Sequence, residues 1–173
     1  WLFVHGLLAT LLIGPRMLAP AALQATITRA AERLPEPAEA RPILLVQAPG
    51  DLFNLYTPAI RRAGHVHVLY AGSGALTLER HDAHTIVLRP IGGWFAAPGD
   101  RIFRAADRPI HAGDRFTLPE ATITALEVDA DGRPLAIEIR GDQPLGAGPL
   151  RWMAWTDGGP TPLELPGAGE SRT

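Results

Sequence analysis

Ala71-Gly72-Ser73-Gly74-Ala75 places a serine among small residues directly after the strand-like run Val66 to Tyr70. That arrangement resembles the turn that exposes a nucleophilic hydroxyl in acyl-transfer enzymes. Such a turn leads into a helix, whereas Thr77 to Arg80 alternates like a strand, and the outer glycine positions are Ala71 and Ala75. A Gly-Ser-Gly turn between strands accounts for the same residues. Six histidines raise a metal site instead. His65 and His67, two apart, would share a strand face, and His81 and His84 form a second close pair. Neither pair has a carboxylate at ligand spacing, and the chain contains no cysteine, which excludes thiolate ligation, thiol catalysis and disulfides. No metal and no cofactor is expected. A phosphate loop is excluded as well, because no Gly-Lys-Ser/Thr occurs and the chain has no lysine.

A geometric argument gives the better site. Ile43 to Val46 is a continuous apolar run of the kind found in strands covered on both faces, and Val66 to Tyr70 reads as a second strand. Between them Asp51 is placed to cap a helix running to about Arg62, and Gly64 to end it. Strand, helix and strand at this spacing predict one βαβ unit with a parallel pair, and ligands bind beyond the carboxyl ends of such strands. Those ends are Gln47 to Asn54 and Ala71 to Gly74, so Asp51, Asn54 and Ser73 are the candidate ligand-binding residues. Capping and turn formation are the ordinary roles of the same three side chains.

From Ala75 onward the pattern changes to antiparallel hairpins. ALTLERHDAHTIVLRP alternates on both sides of His81-Asp82-Ala83, and ATITALEV and PLAIEI flank Asp129-Ala130-Asp131-Gly132. A last pair, Leu150 to Thr156 and Pro162 to Leu165, surrounds Asp157-Gly158-Gly159. On an alternating strand Trp152 and Trp155 point to opposite faces. Gly92 to Gly113 is punctuated by Gly and Pro, with a short helix or turn expected around Arg101 to Arg104. The fold class expected is therefore α+β, one βαβ unit continuing into antiparallel hairpins.

Ahead of this domain stand two further segments. WLFVHGLLATLLIGP is apolar and uncharged up to Arg16, and it starts at the first residue, Trp1. It reads as a truncated transmembrane helix over residues 1–19, which implies a longer protein, with a signal peptide or a buried helix as alternatives. Residues 20–42 read as an amphipathic helix, with Leu23, Ile27 and Leu34 on one stripe, followed by the linker PEPAEARP. The globular domain is expected over residues 43–166, and 167–173, GAGESRT, as a disordered tail. The net charge of −2 over 173 residues advertises no basic face, so nucleic acid is not an expected partner.

ILLVQAPGDLFNLYTPAIRRAG, HTIVLRPIGGWF, RIFRAADRPIHAGDRF and LRWMAWTDGG together resemble the C-terminal region of uncharacterised bacterial multi-pass membrane proteins. The shared marks are a strand ending in Gln47-Ala48-Pro49-Gly50-Asp51 and a closing strand from Leu150 to Trp155. The resemblance implies membrane tethering, with the lipid bilayer and an upstream membrane portion as partners. The missing part in that group is similar to lipid-linked sugar transferases. The expected function is thus a membrane-tethered, non-catalytic extracytoplasmic domain of a larger integral membrane protein, and the alternative is the substrate-binding part of a membrane sugar transferase. Whether the whole protein is an enzyme stays open.

Overall fold

The computed structural model describes residues 28, 32, 34, 41–48, 66–72, 74–96, 108–156 and 159–173. They form ten strands: β1 (Ile43–Leu45), β2 (Val66–Val68), β3 (Leu76–Arg80), β4 (Thr85–Pro90), β5 (Arg115–Leu118), β6 (Ala121–Val128), β7 (Pro134–Gly141), β8 (Arg151–Thr156), β9 (Gly159–Pro162) and β10 (Ser171–Arg172). Four make a mixed sheet in the order β2-β1-β8-β9, and six make an antiparallel sheet in the order β10-β3-β4-β7-β6-β5.

This corrects the α+β expectation. About half of the described residues are in strands, and no helical element is described among them, although Thr28 and Glu32 are helical. Among the described residues no helix is long and apolar enough to cross a membrane, so the expected transmembrane helix has no counterpart there, and residues 1–19, on which it was expected, lie outside the described set. The amphipathic helix over 20–34, the helix from Asp51 to Arg62 and the short helix near Arg101 fall on residues outside the described set, apart from the isolated positions 28, 32 and 34. Strands β3, β6 and β7 alternate with period two over much of their length, and that pattern makes sheet.

β1 is central because it is apolar on both sides. It pairs in parallel with β2, Leu44 opposite His67, and in parallel with β8, Leu44 opposite Trp152. Leu44 and Val46 face the six-stranded sheet and join Trp152, Leu78, Ile86, Leu88, Ile137 and Ile139 in the main core. Ile43 and Leu45 face the other way, into a second cluster with Leu34, Val66 and Met153. Trp152 and Trp155 divide likewise, Trp152 to the main core and Trp155 against the second cluster.

In the six-stranded sheet the register lines up Leu78, Leu88, Ile137 and Ala125 as one inward row and Ile86, Ile139 and Ile123 as the next. Their neighbours Glu79, Val87, Glu138 and Thr124 make the row on the opposite face, which is mostly polar, with Val87 fully buried in it. Leu126 is the extra residue of a bulge between Ala125 and Glu127, and it is exposed because a bulged residue leaves the alternation.

The turns are built from side-chain capping. Asp129 Oδ1 accepts from the backbone N–H groups of Asp131 (3.0 Å) and Arg133 (2.9 Å), while its Oδ2 accepts from Arg133 Nε and Nη2, each at 2.6 Å. Gly132, at φ 70°, completes that loop. Asp82 does the same for the β3–β4 turn, accepting from the N–H of His84 at 2.7 Å. In both aspartates the donated backbone hydrogen bonds hold the carboxyl below the usual range, the bond from Arg133 leading for Asp129 and that from His84 for Asp82.

Candidate functional site

The carboxyl end of β1 is where the chain leaves the sheet. Val46 N donates to Met153 O (2.8 Å) and Ala48 N to Tyr70 O (2.9 Å), after which Gly72 N returns a bond to Ala48 O (3.0 Å). Gln47 lies between these steps. Its Nε2 donates to Gly72 O and to Gly74 O, both at 2.9 Å, and so bolts the small-residue loop to the end of β1. Tyr70 presses on the loop from inside: a Cβ at Gly72 would meet its hydroxyl oxygen at 2.7 Å, and one at Gly74 would meet it at 3.0 Å. Tyr70 is in turn set edge-on by Trp94, with ring centroids 6.1 Å apart at 81°, and Trp94 Nε1 donates to Leu69 O at 2.7 Å. A side chain at either glycine that resembled a nucleophile turn would press on the Tyr70 hydroxyl.

Beside Gln47 opens a cleft of about 450 Å³ between the two sheets. Its apolar wall comes from Val46 after β1, Leu76 and Leu78 on β3, and Leu163 beyond β9. Its polar groups are Gln47, Thr156 at the end of β8, Thr161 on β9, Glu164, Arg172 on β10, and Thr173 after it. A second cleft, of about 480 Å³, lies against the same Leu163–Glu164 segment and is walled by Leu145, Leu150, Trp152 and Arg80. Arg80 is occupied in holding backbone, donating to Asp82 O (3.0 Å), Ala83 O (3.3 Å) and Pro166 O (3.3 Å), and Trp152 Nε1 donates to Leu145 O at 3.1 Å.

The first cleft has a defined hydrogen-bonding character. Gln47 has two amide hydrogens and both are used within the protein, so what it can offer a ligand is its carbonyl oxygen. Thr156 Oγ1 donates to Gly159 O (3.1 Å) and Thr161 Oγ1 to Ala154 O (3.4 Å), so each hydroxyl has its lone pairs left to offer. Glu164 adds a carboxylate acceptor, and Arg172 supplies the guanidinium donor.

Asp51, Asn54 and Ser73 all lie outside the described residues, so the structure does not place the expected ligand cluster. Gln47 was included in the strand end expected to bind, and it does line the cleft. Thr156, Thr161, Glu164 and Arg172 were missed. Thr161 stands between Pro160 and Pro162, which reads as a turn, and Arg172 belongs to a segment with the composition of a free tail. Of the histidines, His81 Nε2 lies 3.1 Å from Glu79 Oε1, whereas His84 Nδ1 donates to Gly141 O at 3.3 Å, so the pair is drawn to separate partners. Among the described residues no group of three or more His, Asp or Glu could hold a metal ion.

No family model, no curated protein and no solved structure matches this chain.

Proposed function

We propose that the chain is a non-catalytic binding module of a membrane-associated protein, and that the cleft beside Gln47 takes a small amphipathic molecule with a donor-rich head, an amine or a polyol. One observation carries this reading: the hydrogens of Gln47, Thr156 and Thr161 are already given to backbone carbonyls, so the cleft meets a ligand chiefly with acceptors. A head that brings its own N–H or O–H groups satisfies them, whereas a carboxylate head finds its charged donor in Arg172 alone and otherwise faces acceptors, Glu164 among them. Val46, Leu76, Leu78 and Leu163 supply the surface for a short apolar tail. At about 450 Å³ the cleft lies within the range of about 300–1,000 Å³ usual for small-molecule sites. The apolar sequence from Trp1 to Pro15 supports the membrane association, and we place the module outside the cytoplasm.

Titration of the ¹⁵N-labelled chain with hexylamine, hexyl glucoside and hexanoate tests the cleft. The amides of Gln47, Thr156, Thr161 and Leu163 should shift with the first two and shift less with hexanoate. An equal response to hexanoate, or shifts scattered over the surface, would refute the assignment. A reporter enzyme fused after Thr173 in the parent protein tests the sidedness, with activity only in the cytoplasm as the refuting result.

A further inference from the structure

The last strand is attached to the molecule in a way that bears on the same cleft. β10 contributes two residues, Ser171 opposite Glu79 and Arg172 opposite Leu78, and Leu78 is itself part of the cleft wall. Around this pairing stand Gly169 N donating to Arg80 O (2.7 Å), Arg80 N donating to Glu170 O (3.0 Å), and the hydroxyls of Thr77 and Thr173 at 3.2 Å. Residues 167–173 are exposed throughout. A two-residue edge strand without buried side chains is at the low end of local stability.

The segment that leads into β10 is held more firmly. Pro166 is buried, and its carbonyl accepts from Arg80 Nη1. Residues 167–170 close a turn on themselves: Glu170 N donates to Gly167 O at 2.9 Å, and Gly167 N donates to Glu170 Oε2 at 3.0 Å. Gly169, at φ 80°, takes a backbone conformation that other residues resist. The strand can therefore leave β3 while the turn behind it stays formed.

We infer that β10 is an internal competitor for the cleft: Arg172 brings a guanidinium to an acceptor-lined site, and a cationic ligand head enters as β10 leaves β3. The inference rests on the reading of this cleft as a binding site. It adds a preference, since Arg172 opposes a second cation but leaves a neutral polyol head little affected. With β10 displaced, Glu164 is the formal charge that remains among the polar groups of the cleft.

The chain has no cysteine, so a single engineered pair can lock the strand without competing thiols. Glu79 and Ser171 are directly opposed in an antiparallel pair, a geometry that places Cα atoms about 4.5–5.5 Å apart, within disulfide range. In the Glu79→Cys/Ser171→Cys double variant, hexylammonium binding should be lost on oxidation and restored by reductant, with thermal melts confirming that both forms are folded. In an otherwise unaltered chain, Arg172→Gln should raise hexylammonium affinity about fivefold and change hexyl glucoside affinity by less. If oxidised and reduced forms bind hexylammonium alike, β10 does not compete, and the cleft assignment stands without it. If neither form nor the Arg172→Gln variant binds hexylammonium, the cleft assignment itself falls and takes the competitor with it.

Discussion

Replacing Gln47 with alanine should loosen the loop that closes one end of the cleft. The side chain gives two hydrogen bonds, to Gly72 O and Gly74 O, from a half-buried position. A hydrogen bond contributes about 0.5–1.5 kcal/mol net, so the pair is worth about 1–3 kcal/mol. For a chain of this size that corresponds to a fall in Tm of about 2–12 °C. Gln47→Glu sharpens the argument, because it keeps the shape and removes the donors. An introduced carboxylate would face two carbonyl oxygens, which favours its protonated form and raises its folded pKa above the unfolded value near 4.3. The resulting deficit is therefore full at neutral pH, shrinks as pH falls through the folded pKa, and near pH 4 approaches the loss of a single bond. Thermal denaturation followed by circular dichroism at pH 7 and pH 4.5, with wild type alongside, measures both. If Gln47→Ala melts with the wild type, or if Gln47→Glu shows the same deficit at both pH values, Gln47 does not hold the loop as described.

Three further outcomes follow from the core and the turns. Ile139 is fully buried between Ile86 and Ile123, and Ile139→Ala should cost about 2–5 kcal/mol in denaturant unfolding. Gly93→Ala should destabilise more than Gly113→Ala: both glycines have positive φ, but a Cβ at Gly93 meets Leu135 Cδ2 at 2.7 Å and Pro134 O at 2.9 Å, while at Gly113 nothing lies within 4 Å. Equal melts for the two would show that backbone strain alone decides. The Asp129 carboxyl is held low by hydrogen bonds present only in the fold, so its contribution is complete above about pH 4 and is lost as pH falls through the folded pKa. Unfolding curves of wild type and Asp129→Asn should accordingly differ at neutral pH and converge in acid, and a pH-independent gap would contradict the capping role.

Much of the sheet was legible because its information is local. The alternation around His81-Asp82-Ala83 and Asp129 to Gly132 specifies hairpins, since strands joined by a short loop have almost no choice of partner, and β3–β4 and β6–β7 pair as that pattern requires. Ile43 to Val46 was readable as a strand covered on both faces, because only such a position rewards four consecutive apolar residues. The α+β class drawn from the helical patterns is corrected by the two sheets that the described residues form, while the helices it weighted fall outside those residues.

The sequence by itself determined the buried strand β1, the hairpin strands β3, β4, β6 and β7 and their turn chemistry, which depend on neighbours a few positions away, whereas the strand expected over 162–165 is β9 at Gly159–Pro162. Tertiary structure alone decided that β8 closes against β1, setting Trp152 beside Leu44 across more than a hundred residues of chain, and that Ser171 and Arg172 become a strand. Neither pairing has a periodic mark, because the partner that gives the residue its role is remote in sequence. The cleft is decided in the same way: Gln47, Thr161 and Arg172 look unrelated along the chain, and they share a wall because separate strand ends converge where the two sheets part.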